Sequence, residues 1–266
     1  MSLITTQSGT PRIENAPLAT LAERFGTPCY IYSRAALVAA FEAYRAALTS
    51  RNARICYAVK ANSNLSILKL FAQLGAGFDI VSGGELARVL AAGGDPGKVV
   101  FSGVGKSPVE MRTALEANIF CFNVESASEL ERLNTVAGET GKVAPIALRV
   151  NPDVDPKTHP YISTGLKTAK FGVAFDEAIA LYRRARTLPN LRIRGIACHI
   201  GSQLLDPQPA ADAACKVLEL VNQLAAEGIA FEHIDLGGGM GIRYRDEQVL
   251  PVASYLAPML AKLAGR

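Results

Sequence analysis

The chain has 266 residues, of which 49% are hydrophobic and 20% are charged, and its 28 Lys and Arg against 24 Asp and Glu give a net charge of +4. These proportions are typical of a folded globular chain and exclude a disordered or fibrous one. The charge excess is slight and no basic run concentrates it, so nothing indicates nucleic-acid binding. No apolar run reaches the roughly 18 residues of a membrane-spanning helix, and residues 1–28 lack the pattern of a signal peptide.

The five cysteines are widely scattered and form no pair with metal-ligand spacing. Neither a zinc site nor a disulfide framework is therefore indicated. Most of these cysteines interrupt apolar stretches, which favours buried thiols. We expect a reducing, cytoplasmic compartment.

Seven short apolar runs predict β-strands, and a helical pattern follows each of them. The runs are Ile55–Lys60, Gly77–Val81, Val99–Ser102, Ile119–Val124, Ala144–Val150, Ile193–His199 and His233–Leu236. The helical patterns are Asn64–Leu74, Gly84–Ala92, Ser107–Ala117, Ser126–Ala137, Asp176–Thr187, Ala210–Ala226 and Pro251–Gly265. Strands that alternate with helices form parallel sheets, so an open doubly wound sheet and a (β/α)8 barrel both fit.

Polar and Gly-rich segments follow nearly every predicted strand. Chemistry spread over many strand ends favours the barrel, because all its βα loops face one mouth, whereas an open sheet concentrates its site near one switch point. A barrel needs an eighth strand, for which Cys29–Tyr32 is one candidate. The stretch Asn151–Gly172 is longer than a normal connection and predicts either a functional loop or a surface insertion.

Lys60 ends a strictly apolar strand in the segment Tyr57–Asn62. Apolar neighbours are expected to desolvate its ammonium, which suits a Schiff-base lysine. The alternative is a lysine whose charged end extends out of the strand end into solvent. This short segment alone does not decide between the two interpretations.

Three consecutive glycines, Gly237, Gly238 and Gly239, follow the last predicted strand within Asp235–Gly241. Glycines leave backbone N–H groups accessible, so this segment predicts either a phosphate-binding loop or a simple turn. The segment has neither the GxGxxG spacing of a dinucleotide site nor the GlyLysSer/Thr ending of a Walker loop.

His199 ends another apolar strand, and Ser202 follows in the same loop, so both side chains are expected to face the same mouth. The alternative is a core histidine with satisfied hydrogen bonds. The chain has only three histidines and no HExxH spacing, so we expect no metal site. Three charged residues are further candidates, namely Asp79 within a strand, Glu85 at the start of a helix and Arg149 at a strand end. For each of them alone, a helix cap or an ion pair is the favoured interpretation.

A strand-end lysine, a histidine and a triple-glycine loop together meet the needs of pyridoxal phosphate, which requires an amine for its aldehyde, a partner for its ring face and an anion site. On these segments the sequence resembles the fold-type III pyridoxal-phosphate-dependent decarboxylases, a family of alanine racemase-like (β/α)8 barrels, and within it the diaminopimelate decarboxylases. The resemblance runs from about Ile13 to the last residue. The segment His159–Gly172 is typical of the diaminopimelate enzymes and differs in the ornithine and arginine decarboxylases.

The resemblance implies a role for each matching position. Lys60 would bind the cofactor covalently and His199 would stack on its ring, so these two are the expected catalytic residues. Its phosphate would be bound by Ser202, Gly237, Gly238 and Gly239. Polar support would come from Asp79, Glu85 and Arg149. The implied reaction is the decarboxylation of meso-2,6-diaminopimelate to L-lysine and CO2, with a small amino acid as the only expected substrate.

The sequence also departs from the family. It lacks the GluProGlyArg segment of the eighth strand and the C-terminal β-domain with its CysGluSerGlyAsp motif. We therefore expect a barrel truncated before its eighth strand, which Cys29–Tyr32 does not replace. Residues 1–33 are expected to pack on the missing β-domain and residues 34–266 to form the incomplete barrel. The hypothesis is that this chain alone binds the cofactor without turning over, and that the full-length parent is a homodimer.

Two other functions stay open. One is a related decarboxylase that acts on ornithine or another polyamine precursor, against which the His159–Gly172 segment argues. The other is a non-catalytic pyridoxal-phosphate-binding barrel, which single-domain chains of this length could form. An amino-acid racemase fits less well, because the lysine strand and the tyrosine base segment of that family look different.

Overall fold

A computed structural model of the chain describes residues 3–155 and 170–265. The chain folds as two compact units, Met1–Ala53 and Arg54–Arg266, each with its own internal contacts. The boundary between these two units lies later in the chain than the boundary expected between residues 33 and 34. The expected boundary stays a prediction. Most of the segment His159–Gly172, singled out above for its sequence, lies outside the described residues.

The first unit combines a small antiparallel sheet with two helices. Its elements are β1 (Ile4–Gln7), β2 (Thr10–Ile13), β3 (Ala16–Pro17), α1 (Leu18–Phe25) and α2 (Arg34–Ala47). Ser33 caps α2 by accepting a hydrogen bond from the Ala36 N–H at 3.0 Å, and it donates to Glu14 at 2.7 Å. The candidate strand Cys29–Tyr32 has no strand pairing, because these residues form an irregular link between α1 and α2.

The second unit alternates strands and helices. Its strands are β4 (Cys56–Ala58), β5 (Gly77–Ile80), β6 (Val99–Phe101), β7 (Cys121–Val124), β8 (Ala144–Asn151), β9 (Val173–Ala174), β10 (Leu191–Ala197) and β11 (His233–Asp235). Its helices are α3 (Leu65–Gln73), α4 (Gly83–Ala91), α5 (Pro108–Glu116), α6 (Ala127–Glu139), α7 (Phe175–Arg186), α8 (Gln208–Ala226) and α9 (Val252–Lys262).

Seven strands form one parallel sheet in the order β11-β10-β8-β7-β6-β5-β4, and the short β9 pairs with β8. This order confirms the seven strands and the parallel α/β architecture predicted from the alternating pattern. Every pair in the sheet is parallel, so all the strands end at the same edge. Within the described residues, the outer strands β4 and β11 do not pair with each other.

Burial explains why the apolar runs become strands. The side chains of Phe78, Phe101, Phe122 and Ile146 are fully buried, as expected for a parallel sheet covered on its faces. Ser82 and Ser126, each two residues after the end of β5 or β7, cap the next helices, so each of these strands leads through a short turn into its helix. The described helices include none long and apolar enough to cross a bilayer.

Candidate functional site

Lys60 lies in a short 3-10 turn, Val59–Ala61, directly after β4. Tyr57 stabilises this turn, because its hydroxyl donates to the Asn62 carbonyl at 3.1 Å and its ring stacks on Phe71 with centroids 4.4 Å apart. The turn carries Lys60 beyond the end of the strand, and the residue is exposed. The expectation that apolar neighbours desolvate its ammonium is therefore wrong for this chain, and the amine is accessible to a ligand instead.

A series of hydrogen-bonded polar side chains lies beneath the carboxyl edge of the sheet. The Ser102 hydroxyl donates to Asp79 Oδ1 at 2.6 Å, and the Asn123 amide donates to the Ser102 oxygen at 3.2 Å and to Asp235 Oδ2 at 3.1 Å. Asp79 lies in β5 and Asp235 ends β11, so these bonds connect strands near opposite ends of the strand order. These bonds fix the carboxylate of Asp79 at the centre of the site.

The Asp79 carboxyl group has a pKa of about 6, above its ordinary value of 3.8. Burial is the largest cause, because it disfavours the charged form. The hydrogen bond from Ser102 and the charges of Lys60 and Arg149 act in the opposite direction, and the charge of Asp235 raises the pKa further. The influence of both Lys60 and Arg149 shows that three predicted site residues lie within electrostatic range of one another.

Arg149 lies near the end of β8 and contacts Glu125, for which the sequence predicts no role. Its Nη1 lies 3.3 and 3.4 Å from the two carboxylate oxygens of Glu125, whose side chain is 1% exposed. Glu125 also accepts hydrogen bonds from the Gly103 N–H at 2.6 Å and from the Gly172 N–H at 3.2 Å. One buried carboxylate thus joins Arg149 to two backbone segments.

A second buried ion pair supports Glu125. The Lys106 ammonium is fully buried and donates to Glu129 Oε1 at 2.7 Å, to the Asn123 carbonyl at 2.8 Å and to the Gly103 carbonyl at 2.6 Å. The other oxygen of Glu129 accepts the Glu125 backbone N–H at 3.0 Å. All three donors of Lys106 are thus satisfied, which offsets the cost of burying its charge.

His199 lies just beyond β10, against the triple-glycine loop. Gly238 donates its N–H to His199 Nδ1 at 3.4 Å, and Gly237 donates its N–H to Asp235 Oδ1 at 2.8 Å. A Cβ atom on Gly237 would lie 2.7 Å from the Cys198 carbonyl oxygen and 2.8 Å from His199 Nδ1. Glycine is therefore required at 237 by the close approach of the two loops.

Hydrogen bonds join the loops after β10 and β11 into one unit. The Leu204 N–H donates to the Gly239 carbonyl and the Gly241 N–H donates to the Leu204 carbonyl, both at 2.8 Å. A Cβ atom on Gly239 would overlap the Gly201 carbonyl oxygen. Ser202 is exposed in the same loop, next to this contact. The sequence prediction that Ser202 and the glycines share one site with His199 thus has a geometric basis, and their role in phosphate binding stays a prediction.

Glu85 differs from the other candidates. It lies in the first turn of α4, where its carboxylate accepts the Val81 N–H at 2.7 Å and its own N–H donates to Ser82 at 3.2 Å. These contacts cap the helix and close the strand-to-helix turn. A contact of Glu85 with the cofactor or with Lys60 stays a prediction.

Burial lowers the pKa of His199 to about 4 from its ordinary 6.5, and the charges of Arg149 and Lys60 lower it further. The ring is therefore neutral near pH 7, and Nδ1 accepts a hydrogen bond. We expect NMR titration of the cofactor-free chain to show His199 neutral down to about pH 4, with the resonance assigned by its loss in His199→Asn. Because the folded pKa is depressed, the stability that His199 contributes is complete above pH 6.5 and lost as the pH falls towards 4.

This prediction has a control within the same spectrum. His233 is the other histidine in the described residues, and burial lowers its pKa as well. His233 lies at the opposite, amino-terminal end of the strands, so His199→Asn is expected to leave its titration unchanged. A midpoint for His199 near its ordinary value of 6.5 would contradict the burial and the charge environment described here.

The geometry fits the needs of pyridoxal phosphate. The exposed Lys60 amine meets the need for a nucleophile, and His199 offers a flat, neutral ring. Two buried polar atoms at the site, Arg149 Nε and Asn123 Oδ1, have no hydrogen-bond partner within the described residues, so both are available to a polar ligand. Among those residues no group of three or more metal-ligating side chains is present.

Residues 34–265 match a family model described as "Pyridoxal-dependent decarboxylase, pyridoxal binding domain". Over 95% of its length the chain is 59% identical to diaminopimelate decarboxylase of Neisseria meningitidis serogroup B and 58% identical to that of Pseudomonas aeruginosa. In both cases the match covers 61% of the relative. The chain thus spans less than two thirds of the length of these relatives.

Solved structures of pyridoxal-dependent decarboxylases are also similar to this chain. Diaminopimelate decarboxylase from M. jannaschii in co-complex with L-lysine superposes with a TM-score of 0.92 at 38% identity, covering 98% of this chain and 62% of that one. The Helicobacter pylori enzyme complexed with L-lysine gives 0.90 at 45% identity, covering 93% and 63%. A lysine/ornithine decarboxylase from Vibrio vulnificus complexed with putrescine gives 0.80 at 23% identity, covering 93% and 62%, and shows the shared fold alone.

Proposed function

Because the chain belongs to the pyridoxal-dependent decarboxylase family, we propose that it forms the cofactor-binding part of an enzyme that converts meso-2,6-diaminopimelate to L-lysine and CO2. The observation that carries the proposal is the meeting of four side chains at the carboxyl edge of the sheet, in which Lys60 and Arg149 act electrostatically on both Asp79 and His199. The choice of substrate is supported by relatives that are 58–59% identical and are diaminopimelate decarboxylases.

Pyridoxal phosphate supplies an aldehyde that condenses with amines and an electron-poor ring that accepts the electron pair left when CO2 departs. The chain supplies the rest of the site. Lys60 offers the primary amine at an exposed position, and His199 offers a neutral ring face whose Nδ1 is held by Gly238. Arg149 and Lys60 contribute positive charge near the buried Asp79 carboxylate, which suits an anionic cofactor and an anionic substrate.

Turnover tests the proposal. We expect the chain, supplied with pyridoxal phosphate and meso-diaminopimelate, to bind the cofactor yet release no CO2 at an ordinary enzyme rate, roughly 1–10³ per second. The reason is that the GluProGlyArg segment typical of the family does not occur in this sequence. The full reading frame that contains this chain is expected to release CO2 from meso-diaminopimelate and not from ornithine.

Three results would contradict the proposal in different ways. Preferential turnover of ornithine by the full protein would move the assignment to the polyamine-precursor decarboxylases. A cofactor absorbance band that no amino acid alters would favour a non-catalytic pyridoxal-phosphate carrier. Fast CO2 release by the chain alone would refute the idea that the missing segment is essential.

The full-length protein is proposed to be a cytoplasmic homodimer. The dimer is supported by the resemblance to the family, and the compartment by the scattered free cysteines. Sedimentation of the full-length protein at working concentration tests the dimer directly.

A further inference from the structure

We propose that Glu125 is a positioning residue for the cofactor site, which holds the Arg149 guanidinium in place and ties it to the backbone at Gly172. The inference rests on the proposed function, because it assigns Arg149 to the binding of pyridoxal phosphate. Glu125 lies in one of the polar segments that follow the predicted strands, but neither it nor its neighbours Lys106 and Glu129 have a role predicted from the sequence.

The contacts of Arg149 restrict the position of its guanidinium. Both carboxylate oxygens of Glu125 lie within 3.4 Å of Nη1, and the guanidinium carbon lies 5.0 Å from the centroid of the Phe171 ring. Nε is buried and has no partner within the described residues. Glu125 and Phe171 therefore both limit where the guanidinium can lie, and Nε is the buried N–H of this group that a bound polar ligand would satisfy.

Gly172 packs so closely on Arg149 that no side chain fits there. A Cβ atom on Gly172 would lie 2.8 Å from the Arg149 carbonyl oxygen and 3.3 Å from its Cγ, and the residue has a φ of +75°. The N–H of Gly172 donates to the same carboxylate that holds the guanidinium. Arg149 is thus fixed at its backbone by Gly172 and at its charged end by Glu125.

The position of Glu125 is itself determined by buried bonds. Its backbone N–H is held by Glu129, whose charge is balanced by the fully buried Lys106. Lys106 also binds the Asn123 carbonyl, and the Asn123 side chain belongs to the series of hydrogen-bonded polar side chains that reaches Asp79 and Asp235. Each member is linked to strands or turns rather than to solvent, so the carboxylate has little freedom to move with Arg149.

A positioning role and a simple charge role predict opposite results for Glu125→Gln. If Glu125 contributed only its negative charge, its removal would make the site more positive, strengthen binding of the anionic cofactor and lower the pKa of His199 further. If Glu125 positions Arg149, its removal releases the guanidinium, so that cofactor binding weakens and the pKa of His199 rises from about 4. The charged groups that act on His199 are Arg149 from β8 and Lys60 from the turn after β4, and Lys60 is unchanged in this variant.

The test is a double-mutant cycle with Glu125→Gln, Arg149→Met and the double variant. We expect each single variant to weaken pyridoxal phosphate binding by about tenfold or more in a fluorescence titration, and to raise the His199 midpoint by at least about half a pH unit in NMR. The double variant is expected to match Arg149→Met, because Glu125 acts through Arg149. The matched control is Glu131→Gln, which removes an exposed carboxylate paired with Arg184 on the surface.

Tighter cofactor binding, a lowered His199 midpoint, or additive effects in the double variant would each overturn the inference. If Glu125→Gln does not fold, Glu125→Asp keeps the charge and withdraws it from Arg149, and an intermediate effect on both readouts is expected. The His199 titration uses the cofactor-free chain and is independent of the reaction. Loss of all cofactor binding by the unsubstituted chain contradicts the proposed function, whereas an unchanged His199 titration contradicts this inference alone.

Discussion

Replacing Lys60 with alanine is expected to abolish covalent capture of pyridoxal phosphate and to lower CO2 release by the full-length protein by about 10²–10⁴-fold or more. The described structure places this amine, exposed, on a turn at the carboxyl edge of the sheet, within electrostatic range of Asp79 and His199. Borohydride reduction of the loaded chain, followed by peptide mass mapping, measures the covalent link directly.

The control for this substitution is Lys69→Ala. Lys69 is an exposed lysine on α3, close in sequence and away from the strand ends, so its removal is expected to leave cofactor capture unchanged. A pyridoxyl label that persists in Lys60→Ala on another lysine of the same site would show that the assignment of the cofactor lysine is wrong. Lys106 is not a competitor, because its ammonium is fully buried and all three of its hydrogen bonds are made.

Asp79→Asn is expected to make the cofactor-free chain more stable at neutral pH while it lowers the activity of the full-length protein. The folded pKa of about 6 lies above the ordinary 3.8, so the folded chain holds a proton that the unfolded chain releases in this interval. The stability contributed by Asp79 is therefore complete below pH 3.8 and lost as the pH rises through 6. An uncharged amide does not titrate and avoids this loss, which amounts to about 2–3 kcal/mol.

Denaturant unfolding of both chains at pH 7.5 and at pH 4 measures this effect. The new amide group carries its own cost, which is the same at both pH values, so the difference between the two stability changes isolates the carboxylate. Asp212→Asn is the matched control, because Asp212 is exposed on α8 and its substitution is expected to change the free energy of unfolding by less than about 0.5 kcal/mol. A stability gain of equal size at both pH values would show that Asp79 is not held in a desolvated position.

The strands of the sheet could be predicted because they are buried on both faces. The run Gly77–Val81 became β5 with one residue less, and Ala144–Val150 became β8 with one more. The small sheet of the first unit was not predicted, because every residue of Ile4–Gln7 is exposed and the strand has no apolar face to give a pattern. Pairing with the neighbouring strand, rather than burial, holds such a segment in place.

Only part of the site could be predicted from the sequence. The sequence predicts Lys60, Arg149 and His199 because each is a polar residue at or near the end of an apolar strand, and Asp79 because it is a charged residue within one. Their roles in a site stay predictions. Asn123 also interrupts an apolar run, and Asp235 begins the predicted glycine segment, yet neither residue belongs to a familiar catalytic pattern that would assign it a role. A set of residues, namely Ser102, Lys106, Glu125 and Glu129, acquires its role from contacts between segments that are distant along the chain, which no local pattern reports.

The hydrogen-bonded pairing of the loops after β10 and β11 has a thermodynamic consequence. Ordering a flexible residue costs about 1–2 kcal/mol of conformational entropy, and the ladder through Leu204, Gly239 and Gly241 means that this cost is met when the chain folds. A ligand that contacts the His199 ring and the glycine loop therefore finds its partners already in place. Calorimetry of cofactor binding should accordingly show a small conformational entropy penalty, and amide hydrogen exchange at Leu204 and Gly241 should be slow before any ligand is added.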